Sequence, residues 1–244
     1  MLIDTHAHLD YFSEDRLKEI LQNAKKHRVK LIITNSINIK SCKKNLEISK
    51  KYSKIKLAVG LYPEEKIIKK ELKDFKKFVN KNKKEIFAIG EIGMDFKYSK
   101  NKKLQEKVFK EQLKIAQDLN VPAIIHTREA EKEIIEILKN YKGKKILHCF
   151  HGSFKLIKKA VEIGCYFSIP TNVVNSEHFQ KMIEIIPKDK ILTETDTPYL
   201  SPYKNKKNEP AFIFESIKII SKIWRKSKPE TEKQIQENFE RIFT

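Results

Sequence analysis

Eight short apolar runs, at 2–5, 30–35, 55–60, 86–90, 123–126, 145–149, 165–169 and 191–194, punctuate a chain of 244 residues. Each has the length of a strand buried on both faces. The stretches between them carry helical periodicity. Leu17, Ile20, Leu21 and Ala24 make one apolar stripe, and Ile68, Leu72, Phe75 and Val79 another. Leu104, Val108, Ile115 and Leu119 share a face. So do Ile134, Leu138 and Tyr141, then Phe154, Ile157 and Val161, then Met182, Ile183 and Ile186. Two helices are expected to close the chain. One, from 212 to about 224, has Ile213, Ile217, Ile220 and Trp224 on one side; the other, from 230 to about 242, has Ile235, Phe239 and Ile242.

Strand–helix alternation predicts a parallel sheet. Eight such strands in a chain of this length predict a closed TIM (β/α)8 barrel, a single α/β domain spanning 1–244. An open doubly wound sheet is the competing arrangement, and it ordinarily carries a glycine-rich first turn. Here the first turn reads Thr5-His6-Ala7-His8.

No linker or low-complexity segment divides the chain. The three cysteines, Cys42, Cys149 and Cys165, are odd in number and widely spaced, so no disulfide framework is expected. No apolar stretch approaches the ~20 residues of a membrane span, and the N-terminus lacks a signal-peptide pattern. A cytoplasmic protein with no membrane partner, and a monomer, are the expectations. The net charge is +19, which attracts polyanions. Only five of the 51 basic residues are Arg, so most of the excess reads as solvated Lys on helix surfaces.

The chemistry-bearing residues cluster by position. His6 and His8 end the first run, Glu91 the fourth, His126 the fifth, His148 the sixth and Asp196 the eighth. In a barrel the C-terminal strand ends all open into one mouth, where active sites are built. Side chains two apart on a strand share a face, so His6 and His8 can grip one cation, completed by Asp196. His126 and His148 would hold a second, with Glu91 bridging. Two divalent ions held so close can stabilise an attacking hydroxide and a leaving oxygen together. Four imidazoles and two carboxylates suit Zn²⁺, Mn²⁺ or Ni²⁺, and admit Mg²⁺.

His27 and His178 read as solvated helix residues, His151 as a pocket-facing candidate, Cys149 as a small buried residue opposite His148, and Trp224 as core. Asp95 is placed to orient Arg128 or a histidine.

Taken together, Ile3 to Asp10, Gly90-Glu91-Ile92-Gly93-Met94-Asp95, Ile125-His126-Thr127-Arg128-Glu129-Ala130, His148-Cys149-Phe150 with Gly152, Glu194-Thr195-Asp196-Thr197-Pro198-Tyr199-Leu200 and Asn208-Glu209-Pro210 resemble the TatD family of metal-dependent deoxyribonucleases. The resemblance spans the chain and keeps the family's motif order. It implies a TIM barrel of the amidohydrolase-like superfamily with two divalent ions (Mg, Mn or Zn). It implies His6, His8, Glu91, His126, His148 and Asp196 as ligands, with Glu91 bridging, and DNA, attacked from the 3′ end, as substrate.

Two positions depart from the family. Its Gly-X-His-Pro motif reads Gly60-Leu61-Tyr62-Pro63 here, and the small residue after His-Cys-Phe is His151. Both bear on substrate contacts. The mechanism expected is attack by an activated water with Asp196 as base, catalysis shared with the bridging Glu91, and Arg128, Tyr62 and His151 on the substrate. A D-aminoacyl-tRNA deacylase would use the same residues. A small-molecule amidohydrolase would use the same barrel, often with a bridging Lys carbamate, for which no Lys stands at Glu91. A non-catalytic nucleic-acid binder would need no ligand set.

Overall fold

The computed structural model describes residues 1–98 and 101–243, without the side chains of residues 65–69. Ile68, expected on a core-facing stripe, lies outside the described side chains. Eight parallel strands follow one another in chain order around a barrel: β1 (Leu2–Ala7), β2 (Val29–Asn35), β3 (Ile55–Val59), β4 (Ile86–Asp95), β5 (Ala123–Arg128), β6 (Lys145–His148), β7 (Tyr166–Pro170) and β8 (Ile191–Glu194). The helices are α1 (Glu14–Lys26), α2 (Ile39–Lys51), α3 (Glu65–Lys81), α4 (Lys102–Leu119), α5 (Glu131–Leu138), α6 (Phe154–Glu162), α7 (Glu177–Ile185), α8 (Ile213–Trp224) and α9 (Lys228–Phe243). The fold is the expected single-domain TIM barrel.

Strand alternation sorts the core into two shells. Ile3, Ile33, Ala58, Ala88, Ile124, Ile146 and Leu192 fill the interior near the strands' N-terminal ends. Their immediate neighbours Leu2, Ile32, Leu57, Ile89, Ile125, Leu147 and Ile191 face the helices. Phe239 and Ile242 of α9 join the inner shell and seal the floor of the barrel. Phe239 stacks on Phe243 at 4.4 Å, and Phe243 on Phe87 at 5.1 Å. Phe239→Ala is expected to lower stability by about 3 kcal/mol, measured by urea denaturation, because the vacated floor cannot collapse onto a rigid strand ring.

Helix α2 carries only a short apolar stripe, Ile39, Cys42 and Leu46, and the structure gives the reason. Its buried face holds Ser41, Cys42 and Asn45 beside Ile48. Asn45 hydrogen-bonds Asn35 O, Ser36 Oγ and Thr34 Oγ1, so polar packing replaces the apolar pattern.

The β1–β8 seam is closed mainly by side chains. A single bridge joins Ala7 to Thr197. Thr193 Oγ1 donates to Ile3 O at 2.7 Å, and Thr5 Oγ1 to Thr193 O at 3.0 Å. Asp4, fully buried, accepts from Thr195 N at 2.9 Å and Thr195 Oγ1 at 2.6 Å. Burial pushes its carboxyl up to about 7 despite these bonds. Asn208 ties the following loop down through Thr195 O and Thr171 Oγ1.

Strand β4 runs five residues beyond the expected end at Gly90. Glu91 therefore lies inside a strand. The extension pairs with β5, setting Gly93 beside His126 and Asp95 beside Arg128. Glycine is required here: a Cβ on Gly93 (φ +149°) would meet His126 O at 2.0 Å, and one on Gly60 would meet Glu91 O at 2.4 Å. The ladder slips between Ile89 and Ile92, and again between Asp4 and Ala7. Such irregularities re-aim side chains, and they sit where Glu91 and His6 point into the mouth.

Candidate metal centre

His6, His8, Glu91, His126, His148 and Asp196, drawn from five strands or their ends, meet in one buried cluster. Glu91 Oε2 lies 3.5 Å from both His6 Nε2 and His8 Nε2. Asp196 Oδ1 lies 3.6 Å and 3.4 Å from the same two nitrogens. Glu91 Oε1 faces the other way, 2.9 Å from His126 Nδ1 and 3.2 Å from His148 Nε2. His6 lies flat against His148, centroids 3.9 Å apart.

Partners behind the imidazoles fix their tautomers. His8 Nδ1 donates to Asn35 O at 3.2 Å, so Nε2 is the nitrogen aimed into the cluster. His148 Nδ1 faces Glu194 Oε1 at 3.4 Å, and Glu194 is itself held by Ser168 Oγ. His126 Nε2 faces Asp95 Oδ2 at 3.2 Å. Each of these three rings thus aims its other nitrogen at Glu91 or Asp196, and that nitrogen would be the one to bind a cation. Asp95 takes the expected orienting role, on His126.

The electrostatics are those of a tightly coupled buried set. Burial disfavours ionised Glu91, but hydrogen bonds from His126 and His148 hold its carboxyl well below the usual range. Burial acts likewise on Asp196, and the bond to His8 and the charge of His6 hold it down. Burial and the neighbouring His148 push His6 down to about 4. Burial opposes protonation of His148, yet Glu194 and Glu91 lift it well above the ordinary imidazole value.

Tyr62 stands among these groups. Its hydroxyl donates to Asp95 Oδ2 at 2.7 Å and lies 3.1 Å from His126 Nε2. Burial and the nearby Glu91 raise its phenol, so it stays protonated. Arg128, at the end of β5, stacks on the exposed Tyr98 ring at 4.8 Å and has no ion-pair partner among the described residues.

His151, a candidate substrate contact, stands outside the ligand cluster: its Nδ1 donates to Cys149 O at 2.8 Å, and its ring stacks on His178. Two sequence expectations change. His178 is half-buried, with Nε2 3.3 Å from Phe150 O, and is not simply a solvated helix residue. Cys149 lies past the end of β6 with φ +44° and is partly exposed, so strand alternation no longer governs it. His27 is exposed and stacked on Phe214, and Trp224 is core, as expected. Glu194 was missed. The signal was present, because Glu194 and Asp196 repeat the two-residue spacing of His6 and His8.

A cation fits this donor set. Imidazole nitrogens and carboxylate oxygens converge within 4.8 Å in three overlapping groups: His6, His8 and Glu91; His6, His148 and Asp196; Glu91, His126 and His148.

Residues 3–244 match the family described as TatD related DNase. The chain belongs to the TatD family. It is 37% identical over 248 residues to an uncharacterized metal-dependent hydrolase of Methanocaldococcus jannaschii, covering 99% of this chain and 96% of that one. It is 31% identical over 238 residues to a deoxyribonuclease of Homo sapiens, covering 91% and 87%. A TatD family hydrolase structure from Entamoeba histolytica superposes with a TM-score of 0.90 at 22% identity, covering 99% and 97%, which speaks for the fold. Membership makes the chain a metal-dependent hydrolase. No described helix is long and apolar enough to cross a membrane.

Proposed function

We propose that this TatD protein is a two-metal phosphodiesterase acting on DNA ends. The observation that carries the reading is Glu91, whose Oε2 faces His6 and His8 while its Oε1 faces His126 and His148. The deoxyribonuclease named among the relatives and the basic surface support DNA as the substrate.

His6, His8 and Asp196 would hold one divalent ion, His126 and His148 the other, with Glu91 shared. When bound, such ions supply an acidified water and neutralise charge developing on phosphate oxygens. The chain's own residues do the rest. Asp196, with 14% of its side chain exposed, opens toward the mouth and takes the proton from the attacking water. Glu194 and Asp95 hold the His148 and His126 rings in their working tautomers. Arg128, free of a carboxylate partner among the described residues and braced by Tyr98, forks onto a substrate phosphate. Tyr62 is a hydrogen-bond donor beside His126 that stays protonated at working pH.

The test is 3′-labelled single-stranded DNA incubated with Mg²⁺ or Mn²⁺. Stepwise shortening that EDTA abolishes is expected. Inert DNA alongside rapid hydrolysis of a D-aminoacyl ester on transfer RNA would overturn the assignment. Tyr62→Phe should lower kcat about 10-fold by loosening Asp95 and His126; an unchanged kcat would remove Tyr62 from the catalytic set.

A further inference from the structure

Among the described residues the exposed large aromatic side chains are Tyr11, Tyr98, Phe154, Tyr199 and Tyr203. Each lies on a segment that follows the C-terminal end of a strand: Tyr11 after β1, Tyr98 after β4, Phe154 after β6, Tyr199 and Tyr203 after β8. None lies on the opposite face of the barrel.

Two of these rings adjoin the candidate metal centre. Tyr11 stacks on His8, centroids 5.4 Å apart and planes 17° apart. Tyr199 donates its backbone N–H to Asp196 O at 2.8 Å and sits edge-on to His8 at 6.3 Å. The Tyr11 and Tyr199 rings stand at 88° to each other with centroids 6.1 Å apart. They form an open corner with 43% and 53% of each residue exposed. A flat heterocycle laid on one ring meets the other at its edge, the arrangement aromatic quadrupoles favour. The same loop continues into Lys204, Lys206 and Lys207, all exposed.

From this placement we infer that Tyr11 and Tyr199 form a stacking clamp for the unpaired nucleobase adjoining the scissile phosphate. The inference rests on the nucleic-acid substrate proposed above. A base inside a duplex stacks on its neighbours and cannot enter the corner, whereas a frayed or single-stranded end can. Selectivity then comes from the presence of a base and not from its identity, since every base has a π-face.

The experiment is binding by fluorescence anisotropy in EDTA, so that no hydrolysis intervenes. A labelled thymidine oligonucleotide is compared with one carrying abasic residues at its 3′ end. The wild type is expected to bind the base-bearing end about 10-fold more tightly. The double variant Tyr11→Leu, Tyr199→Leu should bring that ratio close to one, and Tyr11→Phe, Tyr199→Phe should keep it. The ratio is insensitive to partial misfolding, which weakens both ligands alike. A wild type that binds both ends equally, or binds neither, overturns the clamp, as does a Leu variant that keeps the ratio. Base discrimination in EDTA without phosphodiester hydrolysis once metal is restored would keep the clamp and sink the phosphodiesterase.

Discussion

Glu91→Gln is expected to reduce hydrolysis by about 10³-fold or more and to lower the bound metal, read by elemental analysis of the purified protein. The substitution keeps the shape of the side chain, yet an amide offers one weakly basic oxygen where the carboxylate offers two. Glu91 is also the anion on which His6, His8, His126 and His148 converge. Removing the charge leaves buried imidazoles facing one another, including His6 flat on His148. Destabilisation of the metal-free protein by about 3 kcal/mol should accompany the loss of activity. Full metal content with near-normal turnover would show that Glu91 does not join two sites.

Asp196→Asn should behave differently. Its side chain lies nearest His6 and His8, and its backbone N–H donates to His6 O whatever the side chain. The backbone there is left-handed (φ +58°), a conformation Asn tolerates as well as Asp. The fold should survive. A loss of at least ~10² in kcat with little change in KM is the expected result, because a proton acceptor acts in the transition state more than in binding. Retention of full kcat would assign proton transfer elsewhere, and a loss confined to KM would make Asp196 a substrate contact.

Much of the frame was legible because each shell of the barrel leaves its own periodicity. The strand cores at 86–90 and 191–194 read as apolar runs since both their faces are covered, and α1 reads as a stripe since only one of its faces is. The cluster was legible for a topological reason: in a barrel, strand ends remote in sequence share one mouth. What escaped detection depends on cross-strand partners. β4 could not be followed to Asp95 because Gly90 and Gly93 look like breakers until one sees the backbone of β3 and β5 pressed against that stretch. Glu194 lies beneath His148, and Tyr62 reaches Asp95 and His126 across strands; neither adjacency is written in the local sequence. Cys149 was misread because alternation ends where the backbone turns left-handed.

The seam between first and last strands bears on biosynthesis. His6 and His8 emerge early from the ribosome, but Thr195 and Asp196 must arrive before Asp4 finds its hydrogen bonds and the two imidazoles their carboxylate. A nascent or prematurely terminated chain therefore lacks an assembled centre. Metal-dependent hydrolysis therefore waits on the segment just past the eighth strand, where Asp196 stands.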